Sequence, residues 1–284
     1  MGRALYRRIV LLTDAAAVRG ARGRCPVTGR AEHRVALVTG AAGAVGTAIA
    51  SRLIDDGWAV ALVDAVDTRA LAEELGHGVD AGSSPVRAIR ADLASPEGLA
   101  GAVAEALTWR GRVDALINNA GLQLRSPLHE LEPDAWDRVF AVNVRAPMLL
   151  AQALEPAWRA QGCGGSIVDI VSRDWVAGGP HAYTASKSGL VGLTRSLSIS
   201  LGPLGVRVNA VAPSFMATPF TMRGRSDDEA DEVVERFRRM SPLGRVATVD
   251  DVAGAVSFLV SDDASFITGE VLHVCGGTQL AAHP

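Results

Sequence analysis

Residues 35–46, VALVTGAAGAVG, decide the fold of this chain. Four apolar residues typical of a buried strand lead through a glycine-rich turn into a stretch with helical character. In a doubly wound sheet this turn lies at the carboxyl end of the strand, where ligands bind. Glycines there let the backbone approach a pyrophosphate, and the helix N-terminus supplies amide donors. The stretch predicts a dinucleotide site, with a purely structural tight turn as the alternative.

Strands and helices alternate along the rest of the chain. Short β-branched runs predict strands at 35–38, 59–63, 86–91, 113–117, 166–171, 206–211 and 270–274. Helical patterns fall between them, at 46–56, 69–75, 96–109, 134–160, a segment from Tyr183 to about 201, 228–239 and 249–259. Continuous apolar strands separated by helices indicate a parallel sheet covered on both faces. The predicted fold class is α/β, a Rossmann-like doubly wound parallel sheet of about seven strands.

Composition describes an ordinary globular chain of 284 residues, with 48% hydrophobic residues, 21% charged residues and a net charge of −3. This balance favours neither a nucleic-acid partner nor a membrane partner. Cys25, Cys163 and Cys275 are widely spaced and form no C-x-x-C pair, so we expect free thiols and a cytoplasmic location. The six histidines form no metal motif, and no metal is predicted.

Residues 1–34 differ in composition from the rest of the chain because they contain eight arginines and only two acids, Asp14 and Glu32. A disordered extension is the favoured interpretation, with a targeting peptide as the alternative. No linker or repeat divides the remainder. We therefore expect residues 35–284 to form a single dinucleotide-binding and catalytic domain.

Asp64 sharpens the prediction of a dinucleotide site. It ends the second strand, 18 residues after Gly46, near the spacing at which an acid accepts the ribose hydroxyls. A carboxylate there repels the 2′-phosphate of NADP, and Ala65 and Val66 add no cation. NAD is therefore predicted in preference to NADP. Arg69 lies close enough to leave NADP open, and a solvated acid at the strand end is the structural alternative.

Lys187 is the only lysine, because 27 of the 28 basic residues are arginine, and it follows Tyr183 by four residues. Positions i and i+4 share a helix face, so both side chains can point into one crevice. A phenol with a pKa of about 10 is a poor base near neutral pH, and a nearby ammonium lowers that pKa. We predict that Tyr183 exchanges a proton with a substrate oxygen and that Lys187 lowers its pKa. A lysine left on a solvated face is the bland alternative.

With these residues on a helix after the fifth strand, the chain resembles the short-chain dehydrogenase/reductase family from residue 35 to residue 277. The resemblance rests on motifs in a fixed order: TGAAGAVG at 39–46, Asp92-Leu93, NNAG at 118–121, Asn143, Ser172, YTASK at 183–187, VNAVAP at 208–213, and the closing segment 268–277. It implies hydride transfer between a nicotinamide cofactor and a secondary alcohol or ketone (EC 1.1.1.-). It also implies a homotetramer or homodimer, using part of the surface at 146–158.

The resemblance implies the role of each site residue. Asn143, Ser172, Tyr183 and Lys187 would be catalytic, with Ser172 donating a hydrogen bond to the substrate oxygen, Asn143 holding a water, and Lys187 also binding the nicotinamide ribose. The cofactor would be bound by Gly40, Gly43, Ala44, Val45, Gly46, Asp64, Asp92, Leu93, Asn119, Ala120, Gly121, Tyr183, Lys187, Pro213 and Thr218. Val211 would share the carboxamide contact with Thr218.

Three departures from the family pattern bear on these assignments. Ala44 stands where the family has its second glycine, and we expect cofactor binding to survive its small methyl. The gap of 11 residues between Ser172 and Tyr183 is about two shorter than usual, which puts the placement of Ser172 in doubt. Ser214 stands where a glycine commonly follows the proline.

The substrate pocket is predicted to be apolar under a lid. Its expected residues are Trp175, Phe215, Met216, Phe220 and Met222, with a lid helix at 227–239 that turns Val233, Val234 and Phe237 inward. Three rival functions stay open. They are a 3-oxoacyl thioester (acyl carrier protein) reductase using NADPH, a non-catalytic dinucleotide sensor or scaffold, and a sugar-nucleotide epimerase.

Overall fold

The apolar runs form one seven-stranded parallel sheet in the computed structural model, which describes residues 34–76 and 84–280. The strands are β1 Val35–Thr39, β2 Ala59–Asp64, β3 Val86–Arg90, β4 Ala115–Asn118, β5 Gly165–Ile170, β6 Val206–Pro213 and β7 Val271–Val274. Their order is β3-β2-β1-β4-β5-β6-β7, and every neighbouring pair is parallel. The predicted doubly wound sheet is confirmed.

Helices connect the strands and cover the sheet. They are α1 Ala44–Asp55, α2 Arg69–Leu75, α3 Pro96–Arg110, α4 Pro133–Phe140, α5 Ala146–Gln161, α6 Asp174–Ala177, α7 His181–Leu201, α8 Pro219–Met222, α9 Asp227–Met240 and α10 Val249–Val260. The two four-residue helices, α6 and α8, were not predicted. Both lie in segments that follow the carboxyl ends of strands, where short turns leave no periodic pattern to detect.

Alternate residues of the central strand face two separate apolar layers. In β1, Val35 and Leu37 pack with α3 and α5, whereas Ala36 and Val38 pack with α1 and α10. All five residues of β1 are buried because helices cover both faces of the sheet. This two-sided burial explains why the strands read as continuous apolar runs rather than alternating ones.

The order of the sheet reverses between β1 and β4. From β1 the chain runs outward to β2 and β3, then returns to the other side of β1 and continues from β4 to β7. The loops at the carboxyl ends of β1 and β4 therefore diverge and leave a crevice between them. Residues 40–43 and 119–121 enter this crevice from the two sides.

A π-helical segment, Ala141–Arg145, interrupts the helix predicted at 134–160. Pro147 lies just after it and has no N–H to give to the carbonyl of Asn143 four residues earlier. The amide of Ala146 instead bonds to the carbonyl of Ala141, five residues back. The helical segment predicted at 134–160 is confirmed, because helix is continuous from Pro133 to Gln161, and its π turn falls on a predicted site residue, Asn143, as π turns often do.

Two other expectations concern the chain outside the sheet. Cys163 is disulfide-bonded, which corrects the expectation that all three thiols are free, while Cys275 is a buried free thiol.

The predicted N-terminal extension, apart from Arg34, lies outside the described residues. Within the described part of the chain, no helix is long and apolar enough to span a bilayer, and no cluster of His, Cys, Asp and Glu side chains is arranged to hold a metal ion.

Candidate active site

A cleft of about 990 Å³ lies at the carboxyl ends of the strands. Apart from Asn143 and Val211, the predicted catalytic and cofactor-binding residues line it. Those lining it are Gly40, Gly43, Ala44, Val45, Gly46, Asp64, Asp92, Leu93, Asn119, Ala120, Gly121, Ser172, Tyr183, Lys187, Pro213 and Thr218. Asn143 does not line the cleft and is fully buried behind it. Val211, expected near Thr218, is fully buried in β6 and does not line the cleft.

The glycine turn is closed tightly against the end of β4. Gly40 has a φ of +64°, and a Cβ on it would come within 2.7 Å of the Cα of Ala120. A Cβ on Gly46 would lie only 2.2 Å from the carbonyl oxygen of Gly40. The side-chain amide of Asn119 donates to the carbonyls of Thr39 and Gly40, at 3.0 Å each. Asn119 therefore ties the two sides of the crevice together, a role that its motif alone did not reveal.

The N-terminus of α1 opens into the cleft and suits a pyrophosphate. Gly43 caps this helix without any side-chain hydrogen bond, and its first turn contains no acid. The first amides are therefore not engaged by a capping side chain, and the helix end favours an anion. Ala44 is exposed at the first helical position. Its methyl group adds little bulk, so the residues present fit the pyrophosphate of a dinucleotide despite the departure from the family pattern.

Asp64 lies beside the glycine turn, at the end of β2. Its carboxylate accepts hydrogen bonds from the amides of Ala42, at 3.0 Å, and Val66, at 3.2 Å. Arg69, which left NADP open, is bound by the carboxylate of Asp67, with one of the contacts at 2.9 Å. That guanidinium does not line the cleft. Two acids, Asp64 and Asp92, line the cleft near the glycine turn.

Tyr183, Ser172 and Lys187 converge at the opposite end of the cleft. The Ser172 hydroxyl is close enough to the phenol of Tyr183 to lower its pKa, although the connecting loop is short. The short helix α6 occupies that loop, and the amide of Asp174 donates to the oxygen of Ser172 at 3.2 Å. Lys187 Nζ lies 5.6 Å from the centre of the Tyr183 ring. The shortened loop therefore does not remove Ser172 from Tyr183.

The pKa of Tyr183 is raised, not lowered as predicted. Burial is the main cause, the negative charge of Asp174 adds to it, and the hydrogen bond from Ser172 opposes it. The Lys187 ammonium does not offset burial, because it donates instead to the carbonyl of Ile170 at 2.6 Å. In this arrangement the phenol keeps its proton at neutral pH.

A buried acid lies beneath Lys187. Asp169, on β5, accepts hydrogen bonds of 2.7 Å from Asn118 Nδ2 and from Thr194 Oγ1. Burial raises the pKa of Asp169 to about 6, against those hydrogen bonds and the charge of Lys187. Burial also lowers the pKa of Lys187 to about 8, while Asp169 opposes this change. Asp169 was not predicted as a site residue, because residues 169–172, DIVS, have the pattern of an ordinary strand end.

Asn143 supports this end of the cleft from behind. Its side chain accepts from the amide of Leu122 at 2.8 Å and donates to the carbonyl of Leu122 and the hydroxyl of Ser186. A Cβ on Gly121 would lie 3.6 Å from Lys187 Nζ and 3.9 Å from Asn143 Oδ1. The lack of a side chain at Gly121 therefore keeps the approach to Lys187 open.

The predicted apolar pocket is only partly formed by the expected residues. Phe215, Met216, Phe220, Val233 and Phe237 line the cleft, with the ring of Phe220 centred 6.4 Å from that of Tyr183 and Phe215 stacked on Phe237 at 4.7 Å. Trp175, Met222 and Val234 do not line it. Trp175 instead stacks on His273 and donates to its ring nitrogen at 3.2 Å.

Arginines are the functional candidates that the sequence did not reveal. Among the residues that the structure describes, six arginines line the cleft: Arg125, Arg138, Arg173, Arg223, Arg225 and Arg236. In a chain that uses arginine for nearly every basic residue, these positions carry no distinguishing signal. They come from separate loops and helices, so only the folded chain brings them together.

Comparison with known proteins agrees with this geometry. A family model described as enoyl-(acyl carrier protein) reductase matches residues 40–279. The chain is 37% identical over 258 residues to the (2S)-[(R)-hydroxy(phenyl)methyl]succinyl-CoA dehydrogenase subunit BbsD of Thauera aromatica, covering 88% of this chain and 98% of the relative.

Two solved structures are also similar. One is a 3-ketoacyl-(acyl-carrier-protein) reductase of Brucella melitensis complexed with NADH, with a TM-score of 0.77, 32% identity, and coverage of 87% of this chain and 98% of that one. The other is a putative NAD(P)-dependent gluconate 5-dehydrogenase of Beutenbergia cavernae with bound NADP, with a TM-score of 0.79, 38% identity, and coverage of 87% and 97%.

The doubly wound sheet with a glycine turn opening on a cleft defines a dinucleotide-binding protein of the Rossmann class. The chain belongs to the short-chain dehydrogenase/reductase family. It is an oxidoreductase that acts on hydroxyl and keto groups, with a nicotinamide dinucleotide as cofactor.

Proposed function

We propose that this protein is an NAD(H)-dependent oxidoreductase that interconverts a secondary alcohol and a ketone, with Tyr183 as the general acid/base. The observation that carries the proposal is the convergence of Ser172, Tyr183 and Lys187 in the same cleft as the glycine turn. A nicotinamide dinucleotide, when bound, supplies or accepts the hydride. Residues 35–284 act in this proposal as a single cofactor-binding and catalytic domain.

Ser172 and Tyr183 handle the substrate oxygen. In ketone reduction, Tyr183 gives its proton to that oxygen while Ser172 donates a hydrogen bond to it as negative charge develops. The raised pKa of Tyr183 suits this direction, because the phenol is protonated and ready to donate. Alcohol oxidation requires the opposite transfer, and there a protonated Lys187 directed at the phenolate stabilises it.

Lys187 and Asn143 have positioning roles in this proposal. A hydrogen bond to the Ile170 carbonyl fixes the position of the Lys187 ammonium. The ammonium faces the space left open by the missing side chain of Gly121. The nicotinamide ribose would contact Lys187 in that space. Asn143 holds the backbone of Leu122 and the hydroxyl of Ser186 on α7, the helix of Tyr183 and Lys187. The family role of Asn143, holding a water connected to Lys187, is part of the proposal.

NAD is the proposed cofactor because Asp64 offers a carboxylate to the ribose hydroxyls. Arg69 is engaged by Asp67 and does not line the cleft. A 2′-phosphate would meet the negative charge of Asp64, and the guanidinium of Arg90 on the neighbouring strand is engaged by the carbonyl of Ala65. The similar structures include both NADH and NADP complexes, so cofactor choice has to be decided by the side chains of this chain.

A second candidate is a 3-oxoacyl thioester reductase that uses NADPH. It is favoured by the similarity to the 3-ketoacyl-(acyl-carrier-protein) reductase and to the succinyl-CoA dehydrogenase subunit. The cationic lining near Tyr183 is also what an acyl carrier or a coenzyme A thioester would contact. The two candidates differ in cofactor, because the second requires NADPH where Asp64 stands.

We further propose that the protein is a cytoplasmic homotetramer or homodimer. Use of a nicotinamide dinucleotide from the cytoplasmic pool supports the cytoplasmic location. The disulfide at Cys163 counts against this location, because disulfides are rare in the cytoplasm. Association through α4 and α5 is supported by the partly exposed side chains of Trp136 and Met148. A monomer by gel filtration with light scattering would remove the association claim.

The deciding experiment is a screen of secondary alcohols and ketones, followed at the NADH absorbance with NAD(H) and NADP(H) in parallel. We expect turnover that is faster with NAD(H). Turnover of 3-oxoacyl thioesters with NADPH alone would select the second candidate. If no alcohol, ketone or thioester is turned over with either cofactor, the assigned reaction is wrong.

A further inference from the structure

The arginines of the cleft differ from the other arginines in their partners. Nine arginines of the described residues form ion pairs with acids, and none of the nine lines the cleft. The arginines that do line it form no ion pair with a described acid. This contrast is informative because the chain has slightly more acids than bases and could pair them.

Five of these arginines lie at the Tyr183 end. Arg125 follows β4 and lies in the electrostatic field of Arg225 and Asp174. Arg225 is fixed by a hydrogen bond to the carbonyl of Thr221, at the end of α8. Burial and the charge of Arg225 together lower the pKa of Arg125. Two like charges are therefore held near each other beside the proposed catalytic residues, and the carboxylate of Asp174 offsets their repulsion only in part, which favours a bound anion.

The other three arginines, Arg173, Arg223 and Arg236, also line the Tyr183 end of the cleft. Arg173, directly after Ser172, and Arg236 of α9 lie over the ring of Phe237 at 5.3 and 5.4 Å from its centre. The Nε atom of Arg173 is buried with no hydrogen-bond partner among the described residues. Arg223 lies two residues before Arg225. Asp174 is the only acid that lines this end within the described chain, so the arginines outnumber it five to one.

We propose that the substrate carries an anionic oxyacid group, a carboxylate or a phosphate, which these arginines bind at the Tyr183 end of the cleft. Guanidinium groups match both anions through paired N–H donors. Phe215, Phe220 and Phe237 contact the apolar part of the substrate between that group and the reacting carbon. The inference rests on the proposed function, because it places the anion on the substrate of the proposed reaction.

The test measures binding separately from turnover. The NADH-loaded protein is titrated calorimetrically with glutarate, with inorganic phosphate, and with the neutral dimethyl glutarate. We expect at least one anion to bind, and its dissociation constant to rise steeply with ionic strength because the contact is ionic. The diester should bind at least tenfold more weakly than glutarate. Tighter binding of glutarate selects a carboxylate, and tighter binding of phosphate selects a phosphate.

Matched variants locate the site. Arg125→Gln and Arg236→Gln should each weaken anion binding about tenfold, the effect of losing one charge-assisted hydrogen bond. The control is Arg238→Gln, on the same helix α9, because Arg238 is paired with Glu235 and does not line the cleft. Its anion affinity should stay within about twofold of the wild type.

The outcomes separate the two proposals. If NADH binds but neither anion does, or if the diester binds as well as glutarate, the anionic substrate is wrong and the oxidoreductase proposal stands. Equal losses in Arg236→Gln and Arg238→Gln also overturn it. Failure of NADH itself to bind overturns the proposed function. Should a variant not fold, the salt dependence and the diester comparison on the wild type still decide the matter.

Discussion

The two ends of the cleft offer different chemical groups to a bound molecule. At the α1 end, backbone amides and the carboxylate of Asp64 are offered by the glycine turn and the strand beside it. At the Tyr183 end, arginine and aromatic side chains come from segments after β4, β5 and β6. The residues of the first end lie within positions 40–92, whereas those of the second are spread over positions 125–237. Charge differs too, because Asp64 and Asp92 line the cleft near the glycine turn, whereas five of the described arginines line it near Tyr183.

The α1 end performs a task general to the fold, binding a pyrophosphate, whereas the Tyr183 end performs one particular to this chain, choosing the substrate. A parallel sheet with a glycine turn offers its helix N-terminus to any pyrophosphate. Side chains on loops choose the substrate, because loops can vary without disturbing the sheet. The comparison predicts that changes at the α1 end alter cofactor use, and that changes at the Tyr183 end alter chemistry and substrate choice.

The largest expected effect is at the Tyr183 end. Tyr183→Phe removes the proton that we assign to the substrate oxygen and should lower kcat about 10³-fold, a typical contribution of general acid/base catalysis. NADH affinity, measured by its fluorescence, should change little because the glycine turn is untouched. Comparable loss of NADH binding would show that the two ends are not separable, and retained kcat would show that Tyr183 is not the acid.

A smaller effect is expected from changing the charge at the α1 end. Asp64→Ala should lower the NADH-to-NADPH ratio of kcat/KM about 10- to 100-fold, because a charged hydrogen bond is worth about 1.5–3 kcal/mol. Asp250→Ala, an exposed acid on α10, makes the same change in net charge and should leave the ratio unaltered. An unchanged ratio in Asp64→Ala would mean that another group selects the cofactor.

The buried Asp169 should couple stability to pH at the Tyr183 end. Its folded pKa, about 6, exceeds the usual 3.8, so the folded chain holds this proton more tightly than the unfolded chain. Its contribution to stability is present at low pH and is lost as pH rises from about 4 to above 6. Asp169→Asn should remove this loss, making the variant more stable relative to wild type at pH 7 than at pH 4, by on the order of 1–3 kcal/mol.

Urea unfolding at pH 4 and pH 7 checks this difference. The asparagine can keep both partners, because its oxygen accepts from Asn118 while its amide donates to Thr194, which retains its bond to Leu190. The exposed Asp250→Asn serves as the control and should not show the same change with pH. An Asp169→Asn variant with the pH dependence of the wild type would show that the buried carboxylate has an ordinary pKa.

The smallest effect is expected from restoring the family glycine in the turn. Ala44→Gly should cost about 0.5–1 kcal/mol of unfolding free energy, because glycine is the poorer helix former. NADH affinity should stay within about twofold, since Ala44 is exposed and its methyl does not close the cleft. A tenfold gain in affinity, measured by NADH fluorescence titration, would show instead that the methyl hinders the pyrophosphate.

Local patterns predicted the α1 end well. The strand, the turn and the helix follow each other within residues 35–46, and Asp64 ends the adjacent strand. The sheet itself was predictable because buried parallel strands leave continuous apolar runs. The helix at 134–160 was predicted in the right place, but its sequence pattern did not indicate the π turn at 141–145, which accompanies the hydrogen bond that Pro147 cannot donate.

Protonation and charge placement were harder to predict. The i, i+4 spacing of Tyr183 and Lys187 indicated a shared face, and the two do lie in one cleft. It did not indicate that Lys187 would donate to Ile170, nor that burial and Asp174 would raise the pKa of Tyr183. Those effects depend on desolvation, which is set by what packs around a group rather than by its neighbours in the chain.

The amino-acid sequence by itself determined the class of fold, the dinucleotide turn and the pairing of tyrosine with lysine, because each follows from the spacing of nearby residues. Only the tertiary structure decided which arginines face the cleft, which acid lies beneath Lys187 and how the tyrosine is protonated. The physical reason is that hydrogen-bond periodicity acts over a few residues. Electrostatic interactions and burial act through space, between segments that meet only when the chain has folded.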